Sequence, residues 1–188
     1  MAESTAKPAM LSLSKYTLII IDINIVLYAL CYHLQRPVEP FLVEKLELGK
    51  DANAAESYAK LQSVMQLIQV IGSLFIGKLL DRFGSKIGFI MSFVSSAISY
   101  GILANSTTIY SLYFSKIPTM FQAAFLCAQV ASAQATTDGA ERVLAFSRLT
   151  LAYTIGTIIG PALGGWLGSD GDYYLSAKLA VAGSILSI

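Results

Sequence analysis

Residues 156–165 read GTIIGPALGG and lie within a longer apolar segment, Val143–Gly168. Glycine recurs there at every fourth position, which places three glycines on one face of a helix. Such a stripe suits close helix packing in lipid, and Pro161 removes one backbone hydrogen bond and is expected to kink it. The segment therefore predicts a membrane-spanning helix that packs closely against a neighbouring helix.

The composition of the chain supports a membrane location. Of its 188 residues, 55% are hydrophobic and 13% are charged, and the mean hydropathy is +0.61. Soluble domains are about 45–50% apolar and about 25% charged, so a disordered chain is excluded and a soluble globule is disfavoured. The net charge of +1 gives no reason to expect a nucleic-acid partner. Cys31 and Cys127 lie in separate apolar runs and predict neither a disulfide framework nor a metal site.

Six segments are candidates for membrane-spanning helices, which need about 20 apolar residues. They are Tyr16–Tyr32, Ala59–Leu80, Ile87–Ala104, Ile109–Ala135, Val143–Gly168 and Tyr173–Ile188. The first contains Asp22 and lacks a small-residue cleavage site, so we expect a retained span after a polar tail of residues 1–15. The last has only 16 residues, so we expect the chain to stop within a helix. The predicted fold is all-α: a polytopic six-helix bundle over residues 16–188 with a truncated sixth helix.

The distribution of Lys and Arg predicts the orientation of the chain. Basic residues gather in the tail, between the second and third spans, and around the start of the fifth: Lys7, Lys15, Lys78, Arg82, Lys86, Arg142 and Arg148. The opposite loops carry mixed charge or none, for example Glu39, Lys50, Asp51 and Asp170. The positive-inside rule therefore places the N-terminus in the cytoplasm. We expect the protein to lie in the plasma membrane or in an endomembrane.

Two charged residues lie well inside the spans, where each costs about 2.5–3.5 kcal/mol on insertion scales. Asp22 is about 9 Å from the predicted cytoplasmic end of the first span. It either carries a proton or is a structural acid bonded to a neighbouring helix. Lys116 is about 10 Å from the predicted outer end of the fourth span, and it either faces a cavity or extends to the interface. Their depths differ, so we expect no direct contact between the two.

Polar stripes lie on three of the spans. The second span carries Gln62, Gln66, Gln69 and Ser73 on one helix face, and the fourth carries Ser115, Gln122 and Gln129. These stripes line an aqueous cavity or form interhelical hydrogen bonds, and the bulk of the amides favours the cavity. The third span carries Ser92, Ser95, Ser96 and Ser99, which favour close helix approach. The sequence contains no catalytic constellation, phosphate loop or metal-ligand spacing, so neither an enzyme nor a cofactor is expected.

A second motif, GKLLDRFGSK at residues 77–86, joins the second and third spans. Gly77 is expected to allow close helix contact, and Gly84 to adopt a turn conformation that other residues resist. Asp81 is placed to cap a helix or to form a salt bridge at the membrane surface. The motif therefore predicts a very short hairpin on the cytoplasmic side.

Both motifs resemble signatures of the major facilitator superfamily. Residues 77–86 are similar to its loop 2–3 signature, with Ser85 replacing the first basic residue, and residues 156–165 match its helix 5 antiporter signature at every fixed position. Residues 22–30 are similar to the helix 1 motif of drug:proton antiporters, except that Cys31 replaces a proline. The run from Ser115 to Pro118 resembles the organic-cation-transporter-like solute carrier branch, although Lys116 replaces the arginine of the usual helix 4 motif.

The resemblance implies the N-terminal six-helix half of a twelve-helix transporter that exchanges protons for an organic cation or drug-like solute in a lipid bilayer. On this resemblance we expect the C-terminal half of the transporter to be missing from this chain. Candidate binding residues for proton or substrate are Asp22, Asn24, Gln62, Gln66, Gln69, Lys116 and Gln122. Candidate gating or motif residues are Gly77, Asp81, Arg82, Gly84, Lys86, Gly156, Gly160, Pro161, Gly164 and Gly165. Two alternatives stay open: a symporter or uniporter on the same fold, and a half-length membrane protein that binds or regulates a full-length partner.

Overall fold

The computed structural model describes residues 3–47, 53–169 and 171–188, with side chains from residue 16 onward. The helices are α1 (Glu3–Leu34), α2 (Glu39–Glu47), α3 (Ala54–Ala104), α4 (Ile109–Lys116), α5 (Ala124–Ala135), α6 (Gly139–Gly168) and α7 (Leu175–Leu186), and a 3₁₀ turn (Pro118–Phe121) separates α4 from α5. The described part contains no strand, which confirms the all-α prediction. Of the loop charges used for orientation, Lys50, Asp51 and Asp170 lie outside the described residues.

Three helical stretches of the described chain are long and apolar enough to cross a bilayer. They are Tyr16–Glu47, Ala54–Ala104 and Gly139–Gly168. The second has 51 residues and contains both the second and the third predicted spans. The last helix, α7, is shorter and has 12 residues. These lengths and compositions are those of an integral membrane protein.

Helix α3 reverses direction at Gly84, whose φ of 78° and ψ of 171° interrupt the helical geometry. Leu61 and Leu103 belong to one buried cluster, although an unbroken helix would hold them about 60 Å apart. The residues before and after Gly84 therefore form two antiparallel limbs, residues 54–83 and 85–104. This is the hairpin that the motif at residues 77–86 predicts.

Alanine at Gly84 is expected to lower the free energy of unfolding by about 1–3 kcal/mol, because only glycine adopts this backbone conformation readily. Gly77→Ala is the matched control, since a Cβ at Gly77 meets no described atom within 4 Å. Equilibrium unfolding in mixed detergent micelles measures both variants. If the two variants are equally stable, a side chain at position 84 causes no backbone strain. Because a Cβ at Gly77 would meet no described atom within 4 Å, the prediction of close helix contact at Gly77 is wrong for the described chain.

The predicted fourth span, Ile109–Ala135, is not one continuous helix. Helix α4 ends at Lys116, Pro118 opens the 3₁₀ turn, and α5 begins only at Ala124. Proline interrupts the span because its ring removes a backbone donor and clashes with the preceding turn. The prediction that Ser115, Gln122 and Gln129 share one helix face is therefore wrong, since the three residues lie on separate segments.

Serines of the second α3 limb form hydrogen bonds with backbone groups that have no helical partner at the break between α4 and α5. The Ser95 hydroxyl donates to the Pro118 carbonyl, and the Ser99 hydroxyl donates to the Ser115 carbonyl at 2.7 Å. The Ala123 N–H donates to Ser92 Oγ at 3.0 Å. Irregular backbone within a membrane protein needs such partners, because lipid supplies none. The serine stripe thus stabilises the break, beyond allowing the helices to approach.

The glycine stripe of α6 packs directly on α1. A Cβ at Gly156 would lie 2.8 Å from the Leu30 backbone nitrogen, and a Cβ at Gly160 would lie 2.8 Å from His33 Cβ. At Gly164 the Leu34 carbonyl lies closer still. Helix α6 continues through Pro161 along its whole length. This contact confirms the close packing that residues 156–165 predict, and it fixes α1 against α6.

Candidate functional site

A buried ion pair joins two parts of the chain that the sequence analysis did not connect. Glu39 is the first residue of α2 and Lys116 is the last residue of α4, and the Lys116 ammonium contacts Glu39 Oε1. Their side chains are 6% and 5% exposed. The second carboxylate oxygen accepts a hydrogen bond of 2.9 Å from Gln62 Nε2. Lys116 is therefore buried within the described bundle, where Glu39 compensates its charge.

A small cavity lies beside this pair, with a volume of about 20 Å³, which is room for one water molecule. Its lining includes Arg36, Tyr100, Thr119 and Gln122 in addition to the paired Glu39 and Lys116. Gln122 is 9% exposed, and both polar atoms of its side chain lack a hydrogen-bond partner among the described residues. The buried Tyr100 hydroxyl also lacks one there. Unpaired buried polar groups are costly, so they mark a place where a ligand can bond.

A second ion pair links α1 and α6. The Arg148 guanidinium donates to Asp22 Oδ2 at 2.7 Å, and the two side chains are 51% and 19% exposed. Arg148 lies 126 residues from Asp22 in the sequence, so no local spacing predicts this pair. Asp22 and Lys116 make no ion pair with each other in the described chain, as their depths predict.

The other polar candidates are dispersed. Asn24 donates from its side-chain amide to the Ile20 carbonyl of its own helix at 3.0 Å. Gln66 is exposed and Gln69 is half-buried, so only Gln62 of that stripe reaches the Glu39–Lys116 pair. Asp22 lies about 18 Å from Leu34, measured along the axis of α1. Glu39 follows the Leu34 end of the helix, so Asp22 is far from it along the chain direction. The structure thus brings together Gln62, Lys116 and Gln122 of the predicted set, and adds Glu39.

The hairpin at Gly84 contacts the end of α5. The Ser85 hydroxyl donates to Gln134 Oε1 at 3.2 Å. Asp81, Arg82 and Lys86 are exposed, and the ion pairs of the described chain do not include Asp81. The structure therefore ties this hairpin to α5 through neutral side chains, and the charges of the motif face outward.

The fold defines an all-helical integral membrane bundle with charged residues paired inside it. The chain belongs to the major facilitator superfamily, whose profile matches residues 21–188. It is 31% identical over 172 residues to the class H tetracycline resistance protein of Pasteurella multocida, which covers 92% of this chain and 42% of that protein.

Solute carriers are also similar to this chain. Solute carrier family 22 member 18 of Rattus norvegicus is 28% identical over 180 residues, covering 89% of this chain and 42% of the carrier. Solute carrier family 67 member A1 of Homo sapiens is 27% identical over 161 residues, covering 83% and 37%. The chain thus spans about two fifths of the length of these relatives. No solved structure matches it significantly.

Proposed function

We propose that this chain forms the N-terminal bundle of a secondary active transporter that exchanges protons for an organic cation or drug-like solute by alternating access. The observation that carries the proposal is the Glu39–Lys116 pair, buried beside unpaired polar groups. Ionisable residues within membrane bundles mark the paths of ions and substrates, because burying them is costly. Family membership supports transport, and the names of the relatives, tetracycline resistance proteins and solute carriers, support the solute class.

Asp22 is our candidate for the exchanged proton. Its carboxylate joins α1 to α6 through Arg148. Protonation would remove the charge that holds the guanidinium, so this link between the two helices would weaken as the proton binds. The exposed charges Asp81, Arg82 and Lys86 are placed to form alternative contacts on the predicted cytoplasmic face in another state of the cycle. The α1–α6 glycine contact would remain intact and limit leak.

Asp22→Asn is expected to reduce proton-driven transport at least about 10-fold, because an amide takes up no proton in this range. Membrane vesicles with an acidic interior, prepared from cells that express the native protein, would be assayed for uptake of ethidium. Glu141→Gln is the control, since Glu141 is an exposed carboxylate near the start of α6. Wild-type uptake by Asp22→Asn protein, at equal abundance in the membrane, would rule out Asp22 as the proton carrier.

Two further measurements address the alternatives. An antibody against residues 37–58 would report the size of the native product in membrane fractions. A product near twice the 20.2 kDa of this chain agrees with a complete transporter, whereas a product of this size favours a membrane protein that binds a partner. Counterflow at several pH values, with pH gradients of either sign, would separate exchange from symport and uniport, because proton exchange and proton symport respond to gradients of opposite sign and a uniporter responds to neither.

A further inference from the structure

The cavity beside the Glu39–Lys116 pair presents more positive than negative charge. Its lining includes the Lys116 ammonium and the Arg36 guanidinium, but of carboxylates only that of Glu39. Lys116 contacts Glu39 directly. Arg36 instead donates at 2.6 Å to the neutral Tyr32 hydroxyl and has no ion-pair partner in the described chain. Two cations and one carboxylate leave one positive charge in excess, which a bound monoanion would balance.

The unpaired polar groups at the cavity are rich in hydrogen-bond donors. Glu39 accepts from the Lys116 ammonium, which has three N–H groups. Arg36 has five N–H donors and makes one hydrogen bond within the described chain. Gln122 Nε2 and the Tyr100 hydroxyl, both buried, have no partner there. The unpaired acceptor Gln122 Oε1 carries no formal charge, so the charged donors favour an anionic ligand.

The size and lining of the cavity limit how a ligand reaches it. Its volume is about 20 Å³, which is room for one water molecule, and one carboxylate oxygen is of similar size. Tyr32 and Arg36 are half-buried, whereas the other lining residues are buried. The cavity is therefore reached from the side of Tyr32 and Arg36, and the body of a solute stays outside it.

We propose that Arg36, Lys116 and Gln122 form a subsite for a carboxylate group of the solute. The proposal rests on the transport function proposed above and deepens it by naming an acidic group that favoured solutes carry. One carboxylate oxygen lies in the cavity and accepts from Lys116 and Gln122 Nε2, and the other accepts from Arg36 at the edge. The Lys116 ammonium stays on Glu39, so no buried charge loses its partner.

The test compares benzoate with benzamide, which has the same ring without the charge, on the purified native protein in nanodiscs of zwitterionic lipid. Isothermal titration calorimetry, with the heats of empty nanodiscs subtracted, is expected to show at least about 10-fold tighter binding of benzoate, the effect of hydrogen bonds to charged groups. Chloride is titrated as a free anion. It is expected to bind at least about 10-fold more weakly than benzoate, because a single atom does not bond the cavity donors and Arg36 together.

Two variants remove donors without breaking the buried ion pair. Arg36→Gln removes the excess charge, and Gln122→Met removes an amide without a described partner, so its thermal stability is expected not to change. Each is expected to weaken benzoate binding about 10-fold and to change benzamide binding less. Lys60→Gln, in an exposed pair with Glu56, is the control that retains benzoate binding.

Three results would overturn the subsite: equal affinity for benzoate and benzamide, chloride binding as tight as that of benzoate, or full benzoate binding by Arg36→Gln or Gln122→Met. Absence of benzoate binding to the native protein would overturn it as well. These binding results are separate from proton-driven uptake of ethidium, a cation without a carboxylate. Failure of that uptake would overturn the transport proposal.

Discussion

Alanine at Gly164 is expected to lower the free energy of unfolding by about 3 kcal/mol or more, at the upper end of the cost of overpacking. The added Cβ would overlap the carbonyl group of Leu34 in the backbone of α1. A backbone atom cannot move to another rotamer, so the two helices must separate along their whole contact. The reversible unfolding transition in mixed detergent micelles measures the change.

Gly165→Ala provides a matched control for this prediction. Gly165 is the next residue on the same helix, and a Cβ there meets no described atom within 4 Å. Its stability is expected to equal or slightly exceed that of the wild type, because alanine favours the helix more than glycine does. If Gly164→Ala and Gly165→Ala unfold at the same denaturant concentration, the close packing of α6 on α1 is incorrect.

Lys116→Met is expected to destabilise the bundle by about 3–5 kcal/mol, which is the cost of removing one partner from a buried ion pair. The Glu39 carboxylate would remain buried with Gln62 as its hydrogen-bond donor and without the ammonium that contacts it. Methionine keeps much of the volume of lysine, so the loss of charge dominates the effect. The free energy of unfolding in mixed micelles is again the measurement.

The double variant Glu39→Gln with Lys116→Met completes a double-mutant cycle. It is expected to recover most of the lost stability, because no uncompensated charge then remains. Lys60→Met removes a lysine from the exposed pair with Glu56 and is expected to have no measurable effect. The cycle also needs Glu39→Gln alone; a loss in the double variant equal to the sum of the two single losses would show that the two residues do not interact.

Several elements of the fold could be predicted from local chemistry. The apolar segments identified the helices, and glycines at every fourth position identified the face of α6 that contacts α1. The positive φ of Gly84 follows from a glycine between two apolar helices that must reverse direction. The break at residues 117–123 carried a signal in Pro118, but the apolar residues on both sides of it gave the appearance of one continuous span. Proline inside α6, by contrast, does not end that helix.

The candidate site was accessible from sequence only in part. Lys116 and Gln122 were recognised because charged and amide groups are costly in a membrane. Glu39 was not, because it follows the first apolar segment and resembles any other loop acid. Its importance comes from its place on the buried face of α2, where Leu42 and Val43 are also buried. Glu39, Leu42, Val43 and Leu46 have the spacing of one helix face, which indicates an inward face of α2, but nothing near Glu39 indicates that Lys116 is its partner.

The sequence by itself determined the membrane spans, the hairpin glycine and the close-packing face, since these depend on hydropathy and backbone freedom within a few neighbouring residues. Only the tertiary structure decided which charges meet. Glu39 and Lys116 are separated by 77 residues, and Asp22 and Arg148 by 126. The physical reason is that an ion pair in a bundle forms between whichever opposite charges the helix packing brings within contact, and that packing depends on the whole chain.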